Sequence, residues 1–243
     1  MPIPKRPAIA RLWPGAPVSN GTFTLGRVGD LIFVAGLVLA IPWIAAIVVP
    51  LLEPIAVRFD PHDYWLLPTA HQLASLVLTL AAMRVLSTRT WSEWGFNLQR
   101  AGLGLLLALG FAIVTTPPLY LLMEQQATPT TSITTPEIVA ILVTHFLVIG
   151  FTQEVLFRGF AMTMLSAHRP VAAGMWATVI FALAHVKFAP VNSWLPQLAF
   201  AFVFGLLYAI MFHRTKSLLG PSLAHGYSNT IYVIMLLMKH TYP

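Results

Sequence analysis

Apolar residues in this chain fall in long unbroken runs separated by short polar stretches, the pattern of segments crossing lipid rather than of one-sided elements around a soluble core. The runs cover residues 31–52, 65–86, 101–123, 138–160, 171–188, 194–212 and 218–238. Each is about 20 residues long, which at about 1.5 Å per residue spans a hydrocarbon layer of about 30 Å. The pattern predicts an all-α polytopic membrane protein, a bundle of about seven transmembrane helices, or eight if one run divides. The first run is too long for a signal-peptide core and lacks a clear small-residue cleavage site, so it is expected to remain as a span.

The connections add detail. Residues 1–26 carry Lys5, Arg6 and Arg11 among scattered prolines, so no helix or strand extends far there. They read as a basic arm before a single transmembrane domain, residues 27–243. Pro117 and Pro118 are expected to break the third span near its outer end. Trp91 to Phe96 alternates aromatic and polar residues like a membrane-interface anchor. Residues 125–136 read as a polar, Thr-rich connector. His71 and His145, alone within apolar runs, read as hydrogen-bonded packing residues.

Composition agrees: 57% of residues are hydrophobic, 9% are charged, and the mean hydropathy is +0.77. Cysteine is absent, which excludes disulfides, a thiol nucleophile and thiolate metal ligands. The net charge of +6 reflects loop distribution and does not call for a nucleic-acid partner. With the N-terminus inside, all of the basic residues except Arg58, Lys187 and Lys239 fall on or near the cytoplasmic side, as the positive-inside rule requires. The partner implied is the lipid bilayer of a bacterial or archaeal cell membrane.

Three spans carry chemistry. Gln153, Glu154 and Arg158 interrupt the fourth, and Glu154 and Arg158, four apart, share a helical face. Charged groups at membrane depth mark either a structural ion pair or a polar site. The fifth holds Phe181 and His185, and the seventh His225 and Asn229, each pair again four apart. Counting along the spans, Glu154, His185 and His225 are expected to face a water-accessible polar cavity in the cytoplasmic half. A carboxylate can take a proton from water, with an imidazole sharing that task. A second imidazole and an amide can stabilise an oxyanion. That set describes amide hydrolysis. The same Glu154, His185 and His225 also suit a His-His-Glu zinc site, although no His-Glu-x-x-His helix is present.

At these residues the sequence resembles the CAAX protease and bacteriocin-processing family of intramembrane proteases, also called the Abi family. Gln153-Glu154-Val155-Leu156-Phe157-Arg158, Phe181 to His185 and His225 to Asn229 are similar to its three motifs, in order, within residues 137–230. The resemblance implies an intramembrane endopeptidase acting without a metal on a peptide or membrane-protein segment, prenylated in the best-known cases. It implies water activation by a glutamate and a histidine, and oxyanion stabilisation by the last motif's histidine and asparagine. Gln153 departs from the pattern, which opens with two glutamates. The expected catalytic set is therefore Glu154, His185, His225 and Asn229, supported by Gln153, Arg158 and Phe181. The alternatives are a catalytically silent member serving in bacteriocin immunity or as a scaffold, an inactivated sequence, or a proton-coupled carrier using Glu154.

Overall fold

The computed structural model describes residues 18–19, 22–23, 27–59, 65–124, 135–166, 170–186 and 194–238. Most of the basic arm, most of the Thr-rich connector, and Arg169, Lys187 and Lys239 lie outside them. A two-residue hairpin pairs β1 (Val18–Ser19) with β2 (Thr22–Phe23); the other elements are helices. α1 (Arg27–Ala45) passes through a 3-10 turn into α2 (Val49–Phe59). There follow α3 (Leu66–Leu86), α4 (Ala101–Glu124), α5 (Thr135–Leu165), α6 (Pro170–Val186), α7 (Trp194–Thr215) and α8 (Leu219–Met238).

Among the described residues, Leu66–Leu86, Ala101–Leu119, Thr135–Leu165 and Leu195–Thr215 are long and apolar enough to cross a membrane, and Gly29–Ala45 and Pro170–His185 are shorter apolar helices. Their outward faces expose Ile32, Trp43, Val77, Leu106, Ile113, Val171 and Leu195, while Thr79, Glu154, Arg158, Thr178 and His225 are buried. An apolar exterior around a polar centre is the arrangement lipid imposes, because backbone groups must pair internally and apolar side chains need no shelter. This is an integral membrane protein.

Two local expectations change. α4 runs through Pro117 and Pro118 without a break; Thr116, just before them, pairs its hydroxyl with Tyr227 of α8, so the helix is held at the point where its own ladder loses donors. Trp94 is not at an interface: it is fully buried and packs on Phe160, ring centroids 6.1 Å apart. Trp91 is the exposed tryptophan of that segment, with the Arg84 guanidinium 4.7 Å from its ring.

The α3–α4 loop and the α7–α8 turn interlock at one end of the bundle. Asn97 donates to the Lys216 carbonyl at 2.8 Å, Ser217 to that of Asn97 at 2.6 Å, and Arg100 to that of Arg214 at 2.6 Å. A cavity there is lined by Arg89, Ser92, Ser166, Pro170, His213 and Lys216, so α5 ends and α6 begins at this same basic end. The opposite end joins the close of α1 to the start of α3, where His71 Nε2 meets the Pro42 carbonyl at 2.8 Å. Arg158, fully buried, belongs to neither end and carries no topological weight.

α5 and α8 cross in backbone contact. A Cβ on Gly150 would lie 2.6 Å from the Gly226 nitrogen, and one on Gly226 would lie 2.1 Å from the Phe146 carbonyl oxygen. Only a glycine pair permits that approach. The crossing sits one turn before Glu154 and next to His225, and so brings the first motif against the third.

Candidate active site

α5 departs from a uniform helix where the motif begins. π-helical turns at Val143–Ile149 and Val155–Met162 flank a short α segment, Gly150–Glu154. Such turns widen a helix locally and frequently occur at functional sites. Around this stretch neighbouring residues meet different surroundings: Thr152, Gln153, Leu156 and Phe157 line a cavity, while Glu154 and Arg158 are fully buried off it.

The buried side is an ionic cluster. Glu154 Oε1 accepts from Arg158 Nη1 at 2.8 Å and from His225 Nδ1 at 2.7 Å. Arg158 Nη2 donates to the Gly205 carbonyl at 2.6 Å. A Cβ at Gly205 would come within 2.9 Å of the Phe181 ring and 3.3 Å of Arg158 Nη2, so glycine there lets α7 close on the guanidinium. The Arg158 guanidinium lies 4.7 Å from the Phe181 ring centre and 5.3 Å from that of Tyr208. Tyr208 stacks on His225 with centroids 4.9 Å apart and bonds Ser228, whose hydroxyl donates to the His225 carbonyl. The ion pair expected from the spacing is present, and it extends into a three-member cluster of Glu154, Arg158 and His225 spanning α5 and α8, with α7 supplying the Gly205 carbonyl.

Because a carboxylate only accepts, His225 donates through Nδ1. A neutral His225 therefore carries its lone pair on Nε2, and it can donate to an oxyanion only as an imidazolium, with Glu154 as counter-ion. Asn229 lies one turn beyond His225, half-buried.

The other side is a cavity of about 40 Å³ lined by Pro42 of α1, His71, Gln72 and Ser75 of α3, Thr152, Gln153, Leu156 and Phe157 of α5, and Ala184 and His185 of α6. That is room for water but not for a peptide. Ser75 Oγ, Thr152 Oγ1 and Gln153 Oε1 are buried without a hydrogen-bond partner among the described residues, and such groups are costly unless satisfied. His185 donates from Nδ1 to the Phe181 carbonyl at 2.8 Å, which makes Nε2 the basic nitrogen of the neutral ring. His71 donates from Nε2 to Pro42, the packing role expected of it, yet also faces this cavity.

The structure thus joins Glu154 to His225, and Gln153 to His185, in two separate groups. Phe181 touches both imidazoles, with centroids 4.4 Å from His185 and 5.6 Å from His225. No three His, Cys, Asp or Glu residues among those described are grouped so as to hold a metal. His185 is next to last in α6, which starts at the basic end, and His71 is near the opposite start of α3, whereas Leu156 and Phe157 of the same cavity lie nine and eight residues before the end of α5 at the basic loops. His185 thus lies farther from the basic loops than expected, while the cavity reaches back along α5 towards them. Sequence reading missed Ser75, Gln72 and the glycine crossings; the polar positions of α3 at 71, 72 and 75 were the available signal.

Residues 135–231 match the family described as type II CAAX prenyl endopeptidase Rce1-like. No curated protein matches the chain, and no solved structure does. The matched segment runs from the start of α5 into α8 and contains all seven motif residues, and it belongs to the CAAX-protease-like family.

Proposed function

We propose that the chain is an intramembrane endopeptidase of the CAAX type whose hydrolytic water sits in the cavity between α3, α5 and α6. The observation that carries this reading is the shared cavity of Gln153 and His185, with three buried polar oxygens that have no hydrogen-bond partner among the described residues. His71 and His185 are its titratable lining groups, and an amide cannot accept a proton at neutral pH. His185 Nε2 therefore takes the water's proton as the water oxygen attacks the scissile carbonyl, and returns it to the leaving nitrogen as the C–N bond breaks. Gln153 orients the water. Glu154 accepts from His225 Nδ1 and is the counter-ion of the imidazolium that, with Asn229, serves the oxyanion. His225 is almost wholly buried under Tyr208, so α6 or α7 shifts when substrate binds.

A second reading, a silent member that binds peptide without cutting it, is favoured by one fact: the carboxylate at position 154 is away from the cavity and position 153 is an amide. Purified protein with a panel of quenched peptides, prenylated and plain, separates them. Hydrolysis that is lost in His185→Ala supports the first reading. Silence in the wild type together with new activity in Gln153→Glu establishes the second.

A further inference from the structure

The basic end of the bundle encloses a second cavity, of about 260 Å³, between the α3–α4 loop, the end of α5, the start of α6 and the α7–α8 turn. Its inner wall is apolar: Met162 and Phe212 line it and are buried. Its outer part is cationic, with Arg89 half-buried and His213 and Lys216 exposed. Glu93 is the acidic residue among the described lining groups, and its Oε2 already accepts from the amide and the hydroxyl of Thr90 at 2.7 and 2.9 Å. Arg89 and Lys216 outnumber that carboxylate, and His213 adds to them when protonated. α6 begins at Pro170 on the same cavity, so the positive end of its dipole reinforces the field of the side chains.

From this arrangement we propose that the cavity binds the phosphate group of an anionic ligand, held by Arg89, His213 and Lys216, with Met162 and Phe212 beneath it. A guanidinium offers a planar fork that matches phosphate oxygens, and an ammonium adds a point charge. Cations gathered between helix ends at the membrane surface are suited to an anionic lipid head group. Free phosphate has the same chemistry, and experiment separates the two sources. The site is distinct from the cavity of Gln153 and His185 and does not depend on the proteolytic reading.

Lys216→Gly tests the proposal without threatening the fold. Lys216 sits at φ 55 and its amide bonds the Phe212 carbonyl at 2.7 Å. Glycine is the residue that favours this left-handed position after a helix, so the variant keeps the backbone and drops the cation. Arg89→Gln removes a second cation, and Arg214→Gln, exposed at the same end but not lining the cavity, controls for general attraction. Melting of the full-length protein in detergent is followed with short-chain phosphatidylglycerol, short-chain phosphatidylcholine, inorganic phosphate, and potassium chloride at matched ionic strength. At about 100 times its Kd a ligand should raise the melting point by roughly 5–11 °C. A rise with phosphatidylglycerol alone supports the proposal and assigns a lipid; a rise with inorganic phosphate as well supports it and assigns the phosphate itself. Lys216→Gly and Arg89→Gln should each weaken the apparent affinity about fivefold, and Arg214→Gln less than about twofold. The proposal is overturned if neither anion raises the melting point, or if phosphatidylcholine or chloride does so equally. Unchanged affinity in Lys216→Gly and Arg89→Gln, or an equal loss in Arg214→Gln, overturns it too.

Discussion

Replacing Glu154 with glutamine keeps the side chain's shape and removes its charge, which isolates what the carboxylate does. Both partners bond Oε1, at 2.8 Å from Arg158 and 2.7 Å from His225, and an amide oxygen can accept from both. Geometry survives while the ion pair becomes a cation-to-amide bond and the His225 bond becomes an ordinary one, each losing about 1 kcal/mol. Arg158 remains fully buried with the Gly205 carbonyl and two aromatic faces as company. Leaving a buried charge uncompensated costs about 3–5 kcal/mol in total, and the remaining contacts favour the lower end. At 2–4 °C per kcal/mol for a chain of this size, a loss of about 3 kcal/mol lowers the melting point by roughly 6–12 °C. Tryptophan fluorescence during heating in detergent reads this directly, since Trp94 is buried against Phe160. Arg158→Met should be similarly destabilising alone, and the double variant should be more stable than the sum of the two losses. A wild-type melting point in Glu154→Gln refutes the argument, because the carboxylate would then be buried for its chemistry rather than to hold the guanidinium.

Gln153→Glu places a proton acceptor on the cavity beside His185, so hydrolysis should rise by about 10²-fold or more; an unchanged rate in a stable variant argues against that cavity as the reaction site. Gly226→Ala forces a Cβ to within 2.1 Å of the Phe146 oxygen and should cost about 1–3 kcal/mol or prevent folding. Gly36→Ala, where nothing lies within 4 Å, should leave expression and melting unchanged, and equal effects at the two positions would contradict the crossing. Chelation should not alter activity, and elemental analysis should find no stoichiometric zinc; chelator-sensitive activity restored by zinc would make the imidazoles ligands.

Positions of helices were legible because each depends on a local excess of apolar residues, and every expected run coincides with helix over its described part. Motif spacing foretold the Glu154–Arg158 pair because four residues on one helix suffice to define it. Long-range placement was less legible. That Glu154 would meet His225 rather than His185 depends on how closely α5 and α8 approach, and glycines 150 and 226 look like ordinary glycines in isolation. The π turns had no signature in a hydrophobic pattern. The depth of His185 was misjudged because alternating helix direction puts the end of α6 opposite its basic start.

The Gly150–Gly226 contact also has a mechanical consequence. Two helices joined backbone to backbone have no side chains between them to repack, so neither can slide or tilt against the other without separating altogether. Glu154 and His225 are therefore bolted to one stiff post, and their spacing stays constant through a working cycle. On the proteolytic reading, widening a 40 Å³ hollow until it admits a polypeptide is then the work of the walls on its other side, α1, α3 and α6. α1 carries Pro42 at the rim of that hollow, where a missing amide hydrogen already weakens the helix.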